Sequence, residues 1–64
     1  MTTRERYFEL CELAECPPDS PWIHYPGDGP RQVDWLWGRL ADRGVVVERD
    51  EVAAAMDAFT RETP

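Results

Sequence analysis

At 64 residues, 42% hydrophobic and with three Trp, two Tyr and two Phe, the chain has the material for one small core and is too apolar to stay disordered. It holds no apolar run near the roughly 18 residues that a membrane span needs. Its net charge of −6 works against nucleic acid, whose affinity comes mainly from Lys and Arg laid on phosphates. We expect one domain over 1–64 with no membrane segment. Because Met-Thr-Thr-Arg-Glu-Arg at the start lacks the apolar stretch of a secretory signal, we expect it to be cytoplasmic. All seven basic residues are Arg. Acid outweighs base at both ends, while the middle of the chain is balanced.

The first helix is expected from about residue 3 to residue 14 or 15. Thr2 and Glu5 stand in the spacing of a capping box, in which each side chain satisfies a backbone N–H of the other. Tyr7, Leu10, Cys11 and Ala14 share one face at helical spacing, widened by Phe8 and Leu13, and Glu5, Glu9 and Glu12 line the opposite face. That acidic row is either a solvated face or a strip for a basic partner.

Cys16-Pro-Pro ends this helix, since neither proline can continue it and the residue before a proline is pushed to extended geometry. The stretch 16–29 carries Trp22, Ile23, His24 and Tyr25 among its prolines, too aromatic for a floppy linker. We expect an ordered loop whose Trp22, Ile23 and Tyr25 fold down onto the helices. Residues 26–30, Pro-Gly-Asp-Gly-Pro, read as a turn that leaves Asp28 or Gly29 near the cap of the next helix.

The second helix is the best punctuated, with Pro30 suited to its first turn and Gly44 to the left-handed residue beyond its end. Val33, Leu36, Trp37, Leu40 and Ala41 form its apolar face. At 100° per residue Trp35 falls opposite, beside Arg31, Arg39 and Asp42. Arginines four residues to either side of a tryptophan can stack on its ring. The periodicity therefore assigns Trp37 to the core. Trp35 is either a Trp-plus-Arg anchor for a partner or is covered by the aromatic loop.

Val45, Val46 and Val47 with Glu48 argue for a short extended segment, with residues 22–25 as its candidate partner strand. Asp50 then caps a third helix over about 51–61, with Val52, Ala55, Met56 and Phe59 as its buried stripe and an Asp57–Arg61 ion pair outside. The fold class expected is mainly α, a three-helix domain with an ordered Pro/aromatic loop and a minimal β element near 45–48.

Chemistry is sparse in this sequence. Cys11, Cys16 and His24 are the only N and S ligands, and their spacing does not match the tight C-x2-C knuckle of zinc sites. Were both cysteines helical, five residues of rise would hold them beyond disulfide reach. Residues 27–32 open like a dinucleotide turn but lack the third glycine and the preceding strand. One His, one Ser and no Lys leave few nucleophiles or general bases. We expect no cofactor, no metal and no enzymatic activity.

Residues 36–56, Leu-Trp-Gly-Arg-Leu-Ala-Asp-Arg-Gly-Val-Val-Val-Glu-Arg-Asp-Glu-Val-Ala-Ala-Ala-Met, resemble the helix–Gly–short strand–helix core of winged-helix domains. That resemblance implies a DNA-reading third helix, yet this one carries Asp50, Glu51, Asp57 and Glu62 against Arg61 alone, and no residues remain for a wing. The function expected is a protein–protein interaction module, an acidic inhibitor or accessory protein of the nucleic-acid-mimic type that phage-encoded inhibitors of defence systems exemplify. Trp35, Arg31, Arg39 and Asp42, or Glu5, Glu9 and Glu12, would meet the partner. The alternatives are a degenerate winged-helix transcriptional regulator and a small zinc-binding domain. A chain this short with an outward tryptophan would also gain stability by pairing, so a homodimer is a further expectation.

Overall fold

The computed structural model describes residues 3–62 and contains four helices in the order α1 (Thr3–Ala14), α2 (Ser20–His24), α3 (Gly29–Asp42) and α4 (Arg49–Glu62). The mainly α expectation holds, with one helix more than the sequence suggests and no strand among the described residues. The core lies where α1, α3 and α4 meet. Tyr7, Leu10, Cys11 and Ala14 of α1 pack there with Leu36 and Leu40 of α3 and Val52, Ala55 and Met56 of α4.

The α1 face read from periodicity is the buried one, except that Leu13 remains 45% exposed. Thr2, half of the expected capping box, lies outside the described residues. At its other end α1 closes in a Schellman motif. The Cys16 N–H donates to the Cys11 carbonyl and the Glu15 N–H to the Glu12 carbonyl, both at 3.1 Å. Glu15 takes the left-handed position at φ 57°, which glycine usually fills. The chain therefore doubles back before Cys16, which is not helical. The condition under which helical rise would hold the two cysteines apart is therefore not met, and both cysteines are free.

The 16–29 stretch is ordered, but its middle is the short helix α2 rather than a loop. Backbone N–H groups of Trp22 and Ile23 both return to the Asp19 carbonyl, with Pro21 in the first turn, where its missing donor costs nothing. Five residues are too few to be stable alone. Tertiary contacts hold them: the Trp22 ring lies 5.9 Å from Tyr7 and 5.6 Å from Phe59, centroid to centroid. The Tyr7 hydroxyl donates to the Pro18 carbonyl just ahead. Trp22 therefore covers the helices as expected. Ile23 does not, being 65% exposed.

After α2, the Asp28 N–H donates to the Tyr25 carbonyl at 3.3 Å, and Gly27 sits at φ 73°. With Pro26 ahead of it, this is the pattern of a type II turn. Asp28 then caps α3 by accepting from the Arg31 N–H at 3.3 Å. The far end of α3 repeats the closure of α1. Val45 N–H reaches Leu40 and Gly44 N–H reaches Ala41, both at 3.0 Å, with Gly44 at φ 77° as expected.

Among the described residues, 45–48 belong to no helix and pair with no strand, and their candidate partner strand is helical over residues 22–24. The helix–Gly–helix order of the winged-helix resemblance is present, with no sheet among the described residues. α4 starts at Arg49, ahead of the expected Asp50 cap. It buries Val52, Ala55, Met56 and Ala58 and carries the expected Arg61–Asp57 pair. No helix among the described residues is long and apolar enough to cross a membrane.

Candidate functional site

The face that α3 turns inward is not the one its apolar residues suggest. Gln32, Leu36 and Leu40 are buried, Val33 and Trp35 are half-buried, and Ala41 is exposed. Trp37, expected in the core, is 39% exposed. Two polar side chains account for this rotation. Gln32 enters the interior because its Nε2 donates to the Tyr25 carbonyl at 2.7 Å, so its amide is not left unsatisfied. Arg39 is drawn towards the end of α1, where Nε donates to the Ala14 carbonyl at 2.8 Å and Nη2 to the Glu15 carbonyl at 3.1 Å. α1 has no basic residue in its last turn, so Arg39 supplies from α3 both the donors and the positive charge that a helix C-terminus favours.

This geometry decides how the expected Trp35 cluster is built. The Arg39 guanidinium lies 5.7 Å from the Trp35 ring centroid. The second group on that ring is the imidazole of His24, stacked at 4.7 Å and 26°, and not Arg31. Arg31 is held instead by Asp28 at 3.5 Å. Asp42 is exposed. Trp35 and Arg39 are thus brought together, while Arg31 and Asp42 do not join them, and α2 partly covers the ring. On α1, Glu5, Glu9 and Glu12 are exposed, and Glu9 pairs with Arg6 at 3.7 Å.

The arginines as a set are committed within the chain. Arg6 places two nitrogens at 2.7 and 2.6 Å from one Glu51 oxygen. Arg49 meets Asp34 at 2.6 Å, Arg43 meets Glu15 at 3.7 Å, Arg61 meets Asp57 and Arg4 lies over the Phe8 ring. Glu12, Asp19, Asp42, Glu48 and Asp50 are exposed carboxylates with no ion pair among the described residues. Each pair is at or near the surface and contributes little stability, about 0–1 kcal/mol. Together they matter for another reason: they leave the outward surface net negative.

A second feature, not anticipated from the sequence, forms where α3 runs past residues 45–48. The Trp37 indole N–H donates to the Val47 carbonyl at 2.9 Å and ties residues 45–48 to α3. An open groove of about 590 Å³ results, with Trp37, Val46, Val47, Glu48 and Asp50 among its walls. The sequence reading misses this groove because it counts Trp37 as core.

Reactive chemistry is not assembled in the same way. Cys11 is buried and its thiol is pushed up to about 11, chiefly by desolvation, and burial also raises Cys16. Both are free thiols held in the protonated, unreactive form at neutral pH. His24 is engaged with Trp35 rather than with either cysteine. Among the described residues no three of His, Cys, Asp and Glu converge as a metal site would require. A smaller cleft of about 370 Å³ between α2, α3 and α4 has Trp22, Gln32 and Met56 on its walls. Its charged residues, Arg49 and Asp57, are already paired with Asp34 and Arg61. Set beside known proteins, the chain matches no protein family, no curated protein and no solved structure.

Proposed function

We propose that this chain is a non-enzymatic protein–protein interaction module that acts in the cytoplasm by presenting carboxylates to a basic partner, as a small acidic inhibitor or accessory protein. The observation that carries this reading is the inward commitment of the arginines. Each is taken by a carboxylate, a carbonyl or a ring of the same chain, whereas Glu12, Asp19, Asp42, Glu48 and Asp50 have no ion pair among the described residues. Such a surface attracts cationic proteins and repels phosphate backbones, and it presents negative charge where a nucleic acid would present its own.

The expected measurement is calorimetric titration with an arginine-rich peptide and, separately, with duplex DNA. The peptide binds at low salt and weakens steeply as salt rises, and the duplex does not bind. Binding of the duplex, or indifference to the peptide at low salt, overturns the reading.

A further inference from the structure

We propose that residues 45–48, with the Trp37 ring beside them, form an open strand edge that receives an extended segment of a basic partner. This rests on the acidic-module reading and assigns its contact site. Val46 is 97% exposed, and its N–H and C=O make no hydrogen bond among the described residues. An unpaired extended backbone is a template for another strand, whose main chain supplies the affinity and whose alternate side chains supply the selectivity. The edge is held ready rather than loose. Val45 N–H is fixed to Leu40 at 3.0 Å at one end, and the Val47 carbonyl is fixed to the Trp37 indole at 2.9 Å near the other.

The pattern of exposure selects the occupant. Val45 and Val47 are half-buried while Val46 and Glu48 face out, the period-two alternation of a strand with one face packed. A partner strand therefore meets one apolar position, Val46, flanked by the exposed Trp37 ring, and one acidic position, Glu48. Asp50 stands next to it at the start of α4. The other charges around the groove are neutralised, Glu51 by Arg6 and Arg49 by Asp34.

A second copy of this chain would bring the same carboxylates against one another across a two-fold axis, and like charges directly opposite destabilise strand pairing. The fitting occupant is an extended segment with an aliphatic residue and, two positions on, a Lys or Arg.

The test is an NMR titration of the full chain with two peptides of equal charge, Thr-Val-Thr-Lys-Thr-Lys and Thr-Ser-Thr-Lys-Thr-Lys. The expected result is that the valine peptide moves the amides of residues 45–48 and the Trp37 indole N–H. It binds at least about fivefold more tightly than the serine peptide. Val46→Ser, at a position too exposed to affect folding, erases that difference. Glu48→Gln combined with Asp50→Asn weakens both peptides.

If both peptides bind equally and their shifts spread over Glu12 and Asp19, the groove proposal falls while the acidic-module reading stands. If neither binds at low salt, both fall. Shifts at 45–48 that depend on protein concentration without peptide would show a second copy in the groove and overturn the assignment of a basic occupant.

Discussion

At Glu15 a side chain sits where the backbone favours none. Its φ of 57° is in the left-handed region, which costs an L-residue roughly 1–2 kcal/mol. The matching position at the end of α3 is filled by Gly44 at φ 77°. The two helix ends share the same pair of closing hydrogen bonds, so they form an internal comparison. Among the described residues the ion pair that Glu15 offers in return is with Arg43 at 3.7 Å, in which the Glu15 side chain is 74% exposed, worth little. Glu15→Gly is therefore expected to stabilise the chain by about 0.5–1 kcal/mol, after allowing for the greater freedom of glycine in the unfolded state. Urea denaturation with an unchanged slope and a higher midpoint is the readout. A lower midpoint would show that the Arg43 contact outweighs the backbone.

Among the elements, α1 and α4 were legible because their buried faces follow hydrophobic periodicity. Tyr7, Leu10, Cys11 and Ala14, and Val52, Ala55 and Met56, all lie where periodicity places them. α3 was legible in its ends and misread in its rotation. Hydrophobic periodicity takes Gln32 and Arg39 as outward residues, yet backbone carbonyls of Tyr25, Ala14 and Glu15 wait for their donors. Those acceptors belong to other elements and leave no trace in the local pattern. α2 was hidden for a related reason, since five residues around a proline become helical only once Trp22 has Tyr7 and Phe59 to rest on.

The exchange of roles between the two tryptophans follows from that rotation and is measurable. Arg39→Met keeps the aliphatic stem but removes the donors from the end of α1 and the cation from Trp35. We expect it to cost about 1.5–3 kcal/mol, the range for hydrogen bonds made by a charged group. Arg39→Lys should recover only part, because an ammonium lacks the planar fork that reaches both carbonyls. Equal midpoints for the wild type and Arg39→Met would mean that Arg39 does not cap α1.

For the molecule as a whole, the buried titratable groups are weak acids clustered at one place. Tyr7 and Cys11 face each other along α1, Cys16 returns over them, and desolvation raises all three. Each is neutral in the folded state, so folding is favoured while the unfolded chain also keeps its proton. Stability is lost once the unfolded chain can ionise and the folded one cannot. For Cys11 that window opens near the ordinary thiol value of 9.0 and closes near 11, a difference on the order of 3 kcal/mol. Tyr7 adds to the loss above its ordinary 10.0, since its hydroxyl is fully buried and already donates to the Pro18 carbonyl.

The thermal midpoint is therefore expected to hold steady from neutral pH to about pH 9 and then to fall steeply. Cys11→Ala lowers the midpoint at neutral pH, because a buried side chain is trimmed, but it also flattens the fall between pH 9 and 11, which a purely structural role for the sulfur would leave unchanged. An alkaline limb that begins well below pH 9, or one that Cys11→Ala leaves as steep as before, would place the controlling ionisation outside this core. The measurement separates the neutral, thiol-containing interior from the charged exterior. The interior sets how alkaline a solution the fold survives.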